Sequence, residues 1–193
     1  LTYEKKNEFN LGFDAGLWQN RIGVTFDVYS RNNFDEMGIM VTQGLGGEVE
    51  RAANVAEMRS NGMELSISST NIKKKDFSWS TSFVYSYTNT EITKLFNSGN
   101  VISLVSGTGF PKRGYPARAL FSIPFVGIND EGVPMVMNEK GQVTTDDINF
   151  QERTNTDYLK YEGPTDPKYT GSLGNVFSYK NFHLNVFLTY AFG

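Results

Sequence analysis

A chain of 193 residues with a formal net charge of −3 is long enough to bury a core as one domain, and it lacks the basic face with which a nucleic-acid binder neutralises phosphates. It contains no cysteine, so disulfide frameworks, thiolate metal sites and thiol nucleophiles are excluded together. No apolar run approaches the ~18 residues of a membrane-spanning helix, while a mean hydropathy of −0.38 does not separate a soluble fold from a β-barrel, whose lumen face and loops are polar.

Two-residue alternation predicts six strands, at residues 6–17, 21–31, 59–70, 77–89, 169–179 and 182–192. In the first, Phe9, Leu11, Phe13, Ala15 and Leu17 alternate with Glu8, Asn10, Gly12, Asp14 and Gly16. After a turn at Trp18 to Arg21 the parity flips, so that Ile22, Val24, Phe26 and Val28 are separated by Gly23, Thr25, Asp27 and Tyr29. In the third, Met63, Leu65 and Ile67 alternate with Glu64, Ser66 and Ser68; in the fourth, a column of serines faces away from Phe77, Trp79, Phe83, Tyr85 and Tyr87. The fifth carries Leu173, Phe177 and Tyr179 on one parity with Asn175 among them, which predicts a bulge, a lipid-interface position or a protein contact. The sixth sets Phe182, Leu184, Val186, Leu188, Tyr190 and Phe192 opposite His183, Asn185 and Thr189.

The connections run short, long, short, long, short: Trp18 to Arg21, Asn71 to Asp76 and Lys180–Asn181 are tight, whereas residues 32–58 and 90–168 are extended. Within the second long connection, segments 117–126 and 133–137 read as strands, with turns at Asn129 to Gly132 and Asn138 to Gly141. Short turns on one side and long loops on the other are the arrangement of bacterial transmembrane barrels, with the turns periplasmic and the loops extracellular. A strand of about ten residues tilted by about 45° climbs roughly 23 Å, which matches an apolar band of about 25 Å. The expected fold class is therefore all-β, an antiparallel transmembrane β-barrel segment. Six strands cannot close a barrel that needs at least eight, so the chain reads as an arc of a larger one unless loop strands join the wall.

No catalytic constellation is present. One histidine, His183, cannot make a triad or a His-rich metal site by itself. Asp146, Asp147 and Asp157 lack the spacing of a calcium loop, and no cofactor is implied. Glu8, Asn10, Asp14, Asp27, Glu64, His183 and Asn185 fall on polar faces; they line a water-filled interior, or they satisfy one another structurally. Trp18, Trp79, Tyr85, Tyr87, Tyr179 and Tyr190 lie toward strand ends or on apolar faces, where a barrel places interface girdles and a soluble sandwich places core. Gly44-Leu45-Gly46-Gly47 lacks the Lys-Ser/Thr of a phosphate loop and reads as an external loop or lid. Lys73-Lys74-Lys75 forms a basic turn on the periplasmic side, either solvated or in contact with anionic lipid.

Several stretches resemble the SusC/RagA-like TonB-dependent outer-membrane transporters of the Bacteroidetes group. Glu4-Lys5-Lys6-Asn7-Glu8-Phe9-Asn10-Leu11-Gly12-Phe13-Asp14 resembles that family's W-E-K-T-x-x-x-N-x-G-x-D strand, with Tyr3 where Trp often stands. Asn20-Arg21-Ile22 with Asp27-Val28-Tyr29 is similar to its N-R-(I/L) … D-x-Y hairpin, and Arg59-Ser60-Asn61-Gly62-Met63-Glu64-Leu65 to R-N-x-G-(V/M)-E-(L/V). Phe77-Ser78-Trp79-Ser80 and Gly127-Ile128-Asn129 to Pro134 follow in order, and the block from Gly163-Pro164-Thr165-Asp166-Pro167 to Asn181-Phe182 resembles one near the family's C-terminal end. The resemblance implies part of a barrel of about 22 strands, whose plug and early strands are not in this sequence and whose wall continues past Gly193. A start at Leu1 without Met or signal peptide fits a processed product or a piece of something longer. It further implies contact with outer-membrane lipids, a SusD-type surface lipoprotein, TonB acting through the plug, a glycan or peptide as cargo, and no enzymatic activity. The competing reading is a soluble or surface-displayed β-sandwich, an adhesin or carbohydrate-binding module, whose apolar stripes would pack against each other. A small complete barrel, enzyme or pore, is a third.

Overall fold

A computed structural model describes residues 1–41, 50–96 and 98–193; the Gly44 to Gly47 cluster lies outside the described residues. The elements are β1 (Lys5–Leu17), β2 (Ile22–Val41), β3 (Glu50–Lys73), β4 (Phe77–Leu95), α1 (Val101–Leu104), β5 (Ala119–Ser122), β6 (Phe125–Ile128), β7 (Pro134–Met137), β8 (Val143–Thr144), β9 (Lys160–Pro164), β10 (Tyr169–Tyr179) and β11 (Phe182–Phe192). They fall into two compact units. A wall unit comprises residues 6–32, 60–89 and 167–193, and a loop unit comprises 1–5, 33–59 and 90–166.

The large sheet has six strands in the order β1-β2-β3-β4-β10-β11, so chain neighbours are sheet neighbours except where β10 follows β4 across the long insertion. Strand β10 pairs with β11 from Tyr169↔Phe192 to Tyr179↔Phe182 and with β4 from Tyr169↔Tyr87 to Tyr179↔Phe77, both without a register shift. The bulge considered at Asn175 is therefore absent. Asn175 stays in register opposite Thr81, and its amide oxygen accepts hydrogen bonds from Trp79 Nε1 at 3.0 Å and Thr81 Oγ1 at 2.8 Å. A polar residue on an apolar face is tolerated when neighbours satisfy it, and here the two donors belong to the adjacent strand.

The first and third short turns use the left-handed region. Trp18, Gln19 and Asn20 have φ of 50°, 58° and 62°, and Arg21 N donates to the Trp18 carbonyl at 3.3 Å. Lys180 reverses the chain between β10 and β11 at φ 50°. Within the wall unit the apolar stripe is uncovered: Phe9 is 65% exposed, Leu11 61%, Phe13 61% and Leu188 60%. A sandwich would bury these side chains against a second sheet.

Several strand boundaries differ from the sequence reading. Residues 32–41, 50–58 and 90–95, read as loop, continue β2, β3 and β4, and the second turn shrinks because β3 runs on to Lys73. The cause of the first difference is visible at Asp35, which takes φ 58° inside β2 and interrupts the alternation by which the strand is recognised. Its carboxylate receives Lys5 Nζ at 2.8 Å and its carbonyl receives Asn54 Nδ2 at 2.5 Å.

The loop unit holds the hydrophobic core: Val101, Leu104, Ala119, Phe121 and Leu159 are buried together, with Tyr115 and Tyr161 packed against them. Asn100 caps α1 by accepting from Ser103 N at 3.1 Å and Ser103 Oγ at 2.6 Å. Strands β5 and β9 form a two-stranded sheet, and β6-β7-β8 a three-stranded one. The segment read as one strand over 117–126 divides into β5 and β6 on either side of Ile123-Pro124, since Pro124 has no N–H for a ladder. Asn129 and Asn138 nucleate the two turns through their side-chain oxygens, each of which accepts two backbone N–H groups at 2.8–3.0 Å.

Candidate functional site

In the wall unit the polar residues of β1 and β2 meet across the strand pair. Glu8 receives Arg31 through Nε and Nη2, each at 3.2 Å, and Lys6 Nζ at 2.7 Å. Asp14 accepts from Thr25 Oγ1 at 2.6 Å, and Asp27 occupies the space over Gly12, where a Cβ would stand 2.5 Å from its Oδ1. Asn10 shares their parity on β1. Farther along, Tyr29 Oη and Thr88 Oγ1 are 2.8 Å apart. Glu64 on β3 is exposed.

His183 and Asn185 are not part of that group. They lie on β11, at the opposite edge of the sheet from β1, where His183 Nδ1 is 2.9 Å from Ser178 Oγ and Asn185 stands opposite Val176. The acidic trio of the loop unit is likewise dispersed: Asp157 pairs with Lys112 at 3.0 Å, while Asp147 pairs with Lys140 at 3.2 Å. Among the described residues no three His, Cys, Asp or Glu side chains converge.

The aromatic candidates gather into two groups along β4, β10 and β11. Trp79 stacks on Phe177 with ring centroids 5.6 Å apart and planes 16° apart, with Tyr179 two residues beyond. Tyr85 and Tyr87 lie 6.5 Å and 5.0 Å from Tyr169, which contacts Phe192 at 5.2 Å, and Phe192 in turn contacts Tyr190 at 5.8 Å. Trp79 and Tyr87 are about 26 Å apart along the strand at about 3.3 Å per residue. Trp18 is exposed on the first turn. Sequence reasoning placed Phe177 and Phe192 on apolar faces without grouping them with the girdle candidates, and it did not single out the Tyr169 ring that joins Tyr85 and Tyr87 to Phe192.

A second feature has no sequence signal at all. In the loop unit a cavity of about 440 Å³ is lined by Glu36, Met37 and Ile39 of β2, Val55 and Met58 of β3, Ile92 and Leu95 of β4, and by Asn100, Ser103, Phe110 and Arg153. Its wall is mostly apolar, with one carboxylate and one guanidinium. Beside it Lys112 is pinned, donating to the Thr156 carbonyl at 3.0 Å and lying 5.6 Å and 5.3 Å from the ring centroids of Tyr115 and Phe121. Burial pushes the phenols of Tyr158 and Tyr161 up from their ordinary range.

This geometry offers solvated polar columns, aromatic clusters at two levels and an apolar hollow. No family model matches the chain. Individual proteins do. It is 25% identical over 207 residues to the TonB-dependent receptor P3 of Formosa agariphila, covering 100% of this chain and 21% of that protein. It is 28% identical over 197 residues to the TonB-dependent receptor SusC of Bacteroides thetaiotaomicron, covering 94% and 19%. Among solved structures, the RagAB peptide transporter superposes with a TM-score of 0.77 at 25% identity, over 99% of this chain and 21% of that one. The chain is a β-barrel segment similar to SusC/RagA-like TonB-dependent receptors.

The chain thus spans about a fifth of the length of these relatives. Its sheet is an antiparallel piece of barrel wall that does not close on itself, and its place is the bacterial outer membrane. The relatives are named as receptors and transporters, and none as an enzyme.

Proposed function

We propose that the segment supplies consecutive wall strands and extracellular loops of a TonB-dependent importer that takes up a glycan or peptide. Cargo is handed over with a SusD-type surface lipoprotein, and uptake is driven by TonB through a plug carried elsewhere in the chain. The observation that carries this reading is the near-complete alignment of the segment with one stretch of receptors of this kind, in sequence and in structure alike.

In this reading the uncovered stripe of Phe9, Leu11, Phe13 and Leu188 faces lipid, where it needs no second sheet. The opposite parity, with Glu8, Asn10, Asp14, Asp27, Glu64, His183 and Asn185, faces the lumen. The Trp79 and Tyr87 clusters form the two interface girdles: about 26 Å of strand at a tilt of about 40° climbs about 20 Å. The short turns are periplasmic and the long connections extracellular, on the side from which cargo arrives.

The test is deletion of the parent gene in its host, followed by growth on defined oligosaccharides or oligopeptides as the only carbon source. Loss of growth on one class, reproduced by removing TonB, is the expected result. Unchanged growth on both classes would reject the transport reading.

A further inference from the structure

The three short turns carry a charge opposite to that of the chain. Arg21, Lys73, Lys74, Lys75 and Lys180 stand there against one acid, Asp76, in a protein whose formal net charge is −3. Among the described residues none of these five cations forms an ion pair.

Hydrogen bonds join the turns into one rim. The Arg21 carbonyl accepts from Thr70 N at 2.8 Å, and Arg21 Nη2 donates to the Asn71 carbonyl at 3.1 Å, which brings the first turn to the end of β3. Lys74 N donates to the Phe77 carbonyl at 2.8 Å, closing the second turn. Lys180 N then donates to the Asp76 carbonyl at 2.9 Å, tying the third turn to the second. The rim sits beside aromatic side chains: the Lys180 ammonium is 5.5 Å from the Tyr179 ring centroid, and exposed Trp18 lies three residues before Arg21. Cations at the level of Trp and Tyr, next to an apolar band, occupy the depth of lipid phosphates, where a long side chain keeps its stem in the apolar region and its charge at the headgroup.

We propose that this rim binds anionic phospholipid headgroups of the periplasmic leaflet, with Lys73, Lys74, Lys75 and Lys180 as the phosphate-facing cations. The inference rests on the membrane-wall reading above and adds a lipid preference to it. Each basic residue near an anionic surface contributes about 1 kcal/mol, or about fivefold in occupancy, and the effect is screened by salt.

The experiment uses the intact protein that contains this segment, reconstituted in nanodiscs of phosphatidylcholine with a minority of phosphatidylglycerol. Lipids retained by the protein are counted by native mass spectrometry. Wild-type protein should retain phosphatidylglycerol about fivefold or more above the bulk ratio at low salt, and less in high salt. The K73Q/K74Q/K75Q variant, which spares the strained Lys180 backbone, should return most of the way to the bulk ratio, and K180Q part of the way. Lys140→Gln, in the loop unit, should leave the excess unchanged. A bulk ratio in the wild type, or an undiminished excess in the triple variant, overturns the lipid site while leaving the wall reading intact. Pelleting with peptidoglycan in place of a lipid excess overturns it in favour of a soluble polyanion. Failure of the wild type to enter nanodiscs overturns the wall reading, and this inference with it.

Discussion

Tyr29 reaches across Gly62 to share a hydrogen bond with Thr88, Oη to Oγ1 at 2.8 Å. The bond spans 59 residues of chain and crosses β3 at the one position where no side chain stands in the way. A Cβ on Gly62 would collide with the Tyr29 ring and lie 2.6 Å from the Tyr87 carbonyl oxygen. Since the second neighbour is backbone, the clash cannot be relieved by a rotamer change.

Gly62→Ala should therefore destabilise the wall by about 1–3 kcal/mol, the usual cost of overpacking. Heat-modifiable gel mobility or thermal unfolding of the intact protein in detergent measures it. Gly127→Ala is the control, because a Cβ there meets only Met135 Cε at 3.8 Å. Equal effects from both substitutions would refute the argument.

Asn175 holds two donors on the face proposed to meet lipid, Trp79 Nε1 and Thr81 Oγ1. Replacing it by Ala leaves the indole N–H without an acceptor, and polar pairs in a membrane environment couple by about 0.6 kcal/mol on average, up to about 1.7. A double-mutant cycle of Asn175→Ala with Trp79→Phe, read by urea unfolding, should give a coupling of about 0.5–1.5 kcal/mol. Additivity of the two substitutions would mean that the hydrogen bond contributes nothing.

Lys112 has an exposed ionic partner and a set of buried ones. Asp157 is 94% exposed while Lys112 is 14% exposed, so the ion pair between them is worth little. The Thr156 carbonyl and the rings of Tyr115 and Phe121 should dominate. Asp157→Asn is expected to change loop-unit stability by about 0.5 kcal/mol or less, and Lys112→Met by about 1–3 kcal/mol. Amide hydrogen exchange over residues 98–166 distinguishes the two, and the reverse order would show that the surface ion pair dominates.

Acid should loosen the turn after Glu152. Backbone N–H groups of Asn155 and Thr154 donate to its carboxylate at 2.9 Å and 2.6 Å and hold its pKa below the ordinary 4.5. A carboxyl whose folded value is depressed stabilises fully above its unfolded value, and that contribution is lost as the pH falls through the folded one. Exchange at Thr154 and Asn155, corrected for intrinsic rates, should rise as the pH falls below the ordinary 4.5 of a glutamate. Glu152→Gln should flatten the profile, and a profile unchanged by that substitution would assign the acid effect to another group.

Much of the wall was legible in the chain because strand faces are a local property: successive Cβ atoms alternate, so Phe9, Leu11 and Phe13 declare one face without reference to any other segment. The same logic explains where reading failed. At Asp35 a left-handed residue breaks the period, and the strand residues 32–41 around it read as loop. Asn175 looked like a defect because its partner Trp79 lies 96 residues away, and the cavity between Met37, Ile92 and Phe110 has no periodicity to announce it.

Local alternation and turn residues specify a two-faced antiparallel wall with tight turns at one end, and the collinear motifs carry a resemblance to SusC/RagA-like transporters. That β10 docks on β4 in unbroken register, that Glu8 meets Arg31, and that the basic turns join into one rim emerges in the folded chain alone. Alternation is written into neighbouring residues, whereas register is chosen by the summed pairing of distant strands, and no stretch of the chain contains that sum.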